Sequence, residues 1–271
     1  MYYLSKKAQI TLFIIIGLLI IVFIIFFFVF KDQISVNNPD MNIEEVDEVK
    51  IFMEDCLKSS LEEAVDLIML NGGLSFFEER SYIYYKGNDF YNSSYVPYYF
   101  DVKNGENLPG ISKLESDLSF LIGENAAYCF YLLNYSEEGN SNVLFDISKL
   151  SASNFKTNIL KGVVKTQMYL PIYVKVKDSS FQIESFEAEV NSNYLDLYLD
   201  SIKIGEIQQE NNELLCFTCV DEFSNRENIS IKISHNSLDY PNYAYIYELN
   251  KFNPNRNKQE VFRFAHKFYN E

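Results

Sequence analysis

The chain of 271 residues carries 38 acidic against 23 basic side chains, giving a formal net charge of −15 with only two histidines. So acidic a balance repels phosphate, which excludes nucleic acid as a partner. The roughly 240 residues beyond an apolar amino-terminal stretch are enough for one large domain or two small ones.

That stretch, Gln9 to Phe30, reads QITLFIIIGLLIIVFIIFFFVF, holds no charge and follows Lys6-Lys7-Ala8. Ile10 to Phe30 is broken only by Thr11 and Gly17, and as a helix it would be about 31 Å long against a bilayer core of about 30 Å. The expectation is a single transmembrane helix over 9–30, in contact with membrane lipid. The two lysines hold the amino terminus in the cytoplasm, and everything after Lys31 lies outside the cell membrane. An ordinary cleaved secretory signal fits poorly, because Phe28-Val29-Phe30-Lys31-Asp32 stands where a small-x-small site is needed.

The order Lys7-Ala8 and then Gln9-Ile10-Thr11-Leu12-Phe13 resembles the class III, prepilin-type signal of archaeal type IV pilin-like surface proteins. The resemblance covers about the first tenth of the chain. It implies that a prepilin-type peptidase removes leader 1–8, cutting before Gln9. The apolar helix then serves as anchor and as the core through which the chain assembles with copies of itself or other pilin-like subunits. Ala8 replaces the commoner glycine, and Phe13 stands where bacterial pilins carry a glutamate, which favours an archaeal over a bacterial kinship.

Residues 31–42 form a stalk, with Asn37-Asn38-Pro39-Asp40 as a helix breaker. Asn42 caps a helix whose apolar members Ile43, Val46, Val49, Met53, Cys56, Leu57, Leu61, Ala64, Val65 and Ile68 recur at helical spacing, up to Asn71-Gly72-Gly73. Residues 74–102 are rich in Tyr and Phe and read as two or three strands. Their aromatics either pair across the sheet, the more ordinary reading, or make a sticky surface for a glycan or a neighbouring subunit. Ser112-Lys-Leu-Glu115 reads as a capping box opening a second amphipathic helix to about Leu133. A helix-rich and aromatic part thus spans 43–135.

From 136 to 271 the chain is mostly β. Residues 136–161 read as irregular apart from Val143-Leu-Phe145. Residues 172–190 alternate, with a change of parity that predicts a bulge near Ser185. Asn193 caps a helix to about Gln209, with Leu195, Tyr198, Leu199 and Ile202 inward and Gly205 weakening its end. Strands over 229–233, 243–249 and 261–268 close the chain, the last two joined by Asn253-Pro-Asn-Arg-Asn. The class is α+β: a transmembrane helix, then an extracellular domain of two packed amphipathic helices and antiparallel sheet.

All four cysteines fall beyond the apolar stretch, where thiols on an external face are oxidised. Cys56 and Cys129 sit on apolar helix faces, so Cys56–Cys129 is the expected pair. Cys216-Phe-Thr-Cys219 reads first as a structural disulfide closing on itself, second as half a zinc site, and third as a redox pair, for which a helix start after a parallel strand is wanted. Asn92, Asn134 and Asn228 begin N-glycosylation acceptors, each in a stretch read as loop or strand edge. His235 and His266 lack recognisable catalytic partners, and there is no phosphate loop, dinucleotide turn or His-Glu-x-x-His pair. No enzymatic activity, cofactor or metal is expected. The overall expectation is a membrane-anchored pilin-like structural protein, with an anchored binding or adhesion module that does not assemble as the alternative.

Overall fold

An apolar stripe at every third or fourth residue needs a long helix and something to bury it. A computed structural model of the chain describes residues 43–76, 81–87, 93–135, 143–144, 150–176, 179–210, 215–237 and 242–269. Helix α1, Ile43–Leu70, buries Met53, Cys56, Leu57, Leu61, Ala64, Val65 and Ile68, the stripe read in the sequence. It stops where Gly73 turns left-handed at φ 79° and donates its N–H to the Ile68 carbonyl at 2.7 Å. A Cβ on Gly73 would lie 2.5 Å from Leu114 Cδ2, so only glycine fits this stop.

Strands β1 (Tyr82–Tyr85), β2 (Ser94–Asp101) and β3 (Gly105–Glu106) follow, and then helix α2, Ile111–Tyr135. A second group comprises β4 (Val143–Leu144), β5 (Phe155–Leu160), β6 (Val163–Val176) and β7 (Ser179–Asn191). Helices α3 (Tyr194–Gln209) and α4 (Phe217–Glu227) lead to β8 (Ser230–Ser237), β9 (Asn242–Asn253) and β10 (Lys258–Tyr269). One sheet has the order β1-β2-β10-β9-β8, with β3 also on β2; in the other, β6 pairs with β4, β5 and β7.

Within the first sheet β2 runs parallel to β10, and every other pairing is antiparallel. Residues 45–271 form one compact unit, and its main core draws on α1–α4, β2, β5–β7, β9 and β10. On the first sheet, Phe262 and Phe264 of β10 stand beside Leu249 and Tyr247 of β9 on the face that meets Tyr194 and Tyr198 of α3. The neighbouring positions Ile246 and Ala265 turn the other way into a smaller cluster with Ile83, Val96 and Tyr98. In the second sheet the bulge expected near Ser185 lies at that level but with its extra residue on the facing strand β6: Tyr169 faces Ser185 while Ile172 faces Ile183, and Pro171, which has no N–H to give the ladder, falls in the extra length.

Several expectations are corrected. The sheet is mixed, not purely antiparallel, because β2 and β10 share a register that local alternation cannot encode. Among the described residues there are four α-helices, not three, the added one being α4. No helix among the described residues is long and apolar enough to cross a membrane, so the expected transmembrane helix and the single-pass placement in a cell membrane gain no support. Stretch 9–30, with Lys7, Ala8 and Gln9, lies outside the described residues.

Two helix starts also differ. Helix α2 begins ahead of Ser112, and Glu115 serves as no capping partner: its Oε1 accepts the Ile159 N–H of β5 at 3.0 Å. At α3 Asn193 holds the cap position, yet its side chain makes no capping bond. The Glu260 carboxylate accepts the Asn193 N–H at 2.7 Å, and Ser192 Oγ accepts the Tyr194 N–H at 3.1 Å. A buried negative charge at a helix start meets the positive end of the helix dipole.

Candidate functional site

Strand β10 alternates Phe262, Phe264, His266 and Phe268, and β9 answers with Leu249, Tyr247, Tyr245 and Tyr243 in register. The pairs stack: Tyr247 and Phe264 centroids are 4.8 Å apart, Tyr243 and Phe268 5.4 Å. His235 on β8 extends the row at 5.4 Å from Tyr245. His266 sits inside it, 4.2 Å from Phe268 and 5.6 Å from Phe100. Of the two histidines, His235 is exposed and His266 is buried.

At the end of this row, β2, β3, the last turn of α3 and β10 enclose a cleft of about 330 Å³. Phe100, His266 and Phe268 give it aromatic walls, and Asp101, Glu106, Gln208 and Gln209 give it polar ones. Burial pushes the His266 imidazole down to about 4, against a smaller opposing pull from Asp101. It is therefore neutral at pH 7, and its buried Nδ1 has no hydrogen-bond partner. Burial pushes the Asp101 carboxyl up, but hydrogen bonds from the Tyr269 hydroxyl, from Asn104 and from the Lys103 N–H outweigh it and leave it below its ordinary value. Tyr269 donates to Asp101 Oδ2 at 2.8 Å, while Lys103 Nζ lies 4.1 Å from the centre of its ring. The cleft can take a small molecule that combines a flat apolar face with hydrogen-bonding groups.

Gln208 joins the cleft to the cysteine pair. Its Oε1 accepts the Cys216 N–H at 3.1 Å and its Nε2 donates to the Cys216 carbonyl at 3.4 Å. Cys216 and Cys219 form a disulfide, as expected, but the pair opens helix α4 instead of lying in a loop. Cys216 is the N-cap, its Sγ accepting the Cys219 N–H at 3.2 Å. The half-zinc reading finds no partners: among the described residues no three His, Cys, Asp or Glu side chains stand together as a metal group.

Cys56 is disulfide-bonded as well, while the side chain of Cys129 lies outside the described ones. Asn92 lies outside the described residues; Asn134 falls in the last turn of α2, inside a helix instead of a loop. Asn228 ends α4 in the left-handed region at φ 53°, exposed. The cleft was missed in the sequence because its walls come from four elements; the one local signal was the even spacing of aromatics through Phe262, Phe264, His266 and Phe268. No protein-family model matches the chain, and no curated protein or solved structure matches it.

Proposed function

We propose that the protein is a pilin-like structural subunit, processed before Gln9 and assembling through its apolar amino-terminal stretch. The observation that carries this reading is the junction Lys7-Ala8-Gln9 followed by an uncharged run to Phe30. The first helix of the folded unit supports it: α1 leaves Ile51 and Phe52 exposed in its amino-terminal half, apolar area of the kind an assembled subunit covers. Partners would be a prepilin-type peptidase and copies of the chain or related subunits. Contact between the apolar stretches of neighbouring copies, aided by close approach at Gly17, would drive association.

The test is the intact mass of the full chain made with and without an archaeal prepilin peptidase. A terminus at Gln9 that disappears when Lys7 or Ala8 is changed supports the reading, and Gly17→Leu then abolishes assembly without blocking processing. A terminus still at Met1 in the peptidase's presence sinks it. The cleft beside His266 favours a second reading, a binding module that does not assemble. That reading expects a small-molecule panel to raise the melting temperature of the wild type and not of Gln209→Ala; a panel that shifts neither protein counts against it.

A further inference from the structure

A disulfide between residues three apart closes a very short loop, and a loop so short restrains the unfolded chain little. Stability is therefore a poor account of Cys216–Cys219, and its setting offers another. Cys216 caps an eleven-residue helix, with the Cys219 N–H aimed at its sulfur from 3.2 Å. A thiolate released there would meet a backbone donor and the positive end of the helix dipole, the conditions that make one cysteine of such a pair a good leaving group. Gln208, 1 % exposed, holds the Cys216 backbone through both its N–H and its carbonyl, so the cap keeps its place when the S–S bond opens. Neither cysteine is fully buried, and Phe217 between them is 62 % exposed. Phe217 also forms one wall of a groove of about 340 Å³ between α4 and β8, lined otherwise by Val220, Asp221, Ser224, Ile231 and Ile233. Strand β8 ends its sheet.

We propose that Cys216–Cys219 is a thiol–disulfide exchange site whose substrate is a pair of cysteine thiols on a partner polypeptide. A substrate thiolate attacks Cys216 Sγ, the S–S bond breaks, and Cys219 leaves as a thiolate that takes up a proton. The second substrate thiolate attacks the substrate sulfur of this mixed disulfide and expels Cys216 as the thiolate held by the helix. Two electrons pass from the substrate dithiol, which becomes a disulfide, to the cysteine pair, which becomes a dithiol. The adjoining groove offers apolar contact to residues flanking the attacking cysteine. This activity is independent of the pilin-like reading, and neither test depends on the other.

The test uses the full chain in glutathione buffers of graded redox poise, quenched with an alkylating reagent and read by mass. The expected result is reversible opening and closing of Cys216–Cys219 while the disulfide at Cys56 stays closed. In Cys219→Ser, Cys216 should form a mixed disulfide with oxidised glutathione at least about tenfold faster than a cysteine in an unstructured peptide. The serine left in Cys216→Ser should give no such acceleration at Cys219. A wild-type pair that opens only in denaturant overturns the proposal without recourse to any variant. So does a folded Cys219→Ser protein, checked by circular dichroism, whose Cys216 reacts no faster than the peptide.

Discussion

At Gly205 a single hydrogen atom separates a packed helix from a blocked one. A Cβ there would fall 1.6 Å from Cζ of Phe100, whose ring is buried between α3 and the first sheet. The sequence marks Gly205 as a weak point of the helix; its packing makes it the point of closest approach. Gly205→Ala should therefore destabilise the fold despite alanine's better helix propensity, by about 1–3 kcal/mol in urea unfolding, the usual cost of overpacking. His266 carries a pH dependence. Its folded value of about 4 lies below that of an unfolded histidine, so as pH falls through 6.5 the unfolded state takes up a proton first. Its contribution is full above about pH 6.5 and is lost on the way down to about pH 4, at most about 3 kcal/mol. Asp200, raised by burial against the pull of Lys203, works with the opposite sign as acid is added. Urea midpoints measured between pH 7 and 4 should fall in the wild type and fall less in His266→Phe, which keeps a ring beside Phe100 and Phe268.

Among the elements, legibility followed the length of the pattern. Helix α1 and the strands of the carboxyl-terminal meander declared themselves because their apolar periods run for many residues. Strand β5 did not: Phe155, Thr157 and Ile159 face inward, and the middle one is polar. Thr157 belongs inside because its hydroxyl meets Ser119 of α2 at 2.8 Å and Thr166 of β6 at 3.2 Å, partners no local reading supplies. Helix α4 buries only Val220 and Phe223, too short an apolar signal to separate from loop. The capping box at α2 was misread for a related reason, since Glu115 spends its carboxylate on the distant Ile159 N–H, while at α3 the Asn193 cap stands where expected and the distant Glu260 accepts its N–H. Glu260, fully buried at its side chain, also accepts from Arg256 Nη1 at 3.1 Å, and Arg256 grips Asp66 of α1 through both Nη atoms at 2.9 and 3.0 Å. Glu260→Ala leaves the Arg256 and Asn193 donors short of an acceptor and should cost about 3 kcal/mol, with Glu260→Gln costing less. Peptide mapping without reductant should recover Cys56 joined to Cys129, tying α1 to α2; Cys56 joined elsewhere overturns that pairing.

Across the whole folded unit, the division of the chain near 136 does not divide the sheet. Strands β1–β3 from before it are completed by β8–β10 from after it, and Tyr269 reaches back across 168 residues to Asp101. Such closure by distant contacts lies beyond a reading built on neighbours, and it makes folding slow for the size of the domain. The cleft inherits this: β10 supplies His266 and Phe268, while β2 supplies Phe100 and Asp101. A chain shortened to end before Lys258 should lack a protease-resistant unit altogether, and limited proteolysis followed by mass measurement checks this. A stable remnant comprising β1–β3 and α1 would show that the halves fold apart.

Because β10 lies between β2 and β9, the interior of the first sheet is the part made last. At a synthesis rate of about 5–20 residues per second, roughly ten to thirty seconds pass between the appearance of Asp101 and that of its partner Tyr269. Throughout that interval β2 can pair with β1 and β3 but lacks its parallel neighbour β10. Closure of the first sheet is thus a late event of synthesis, and a chain stalled before Lys258 is left with both β2 and β9 short of the strand that joins them.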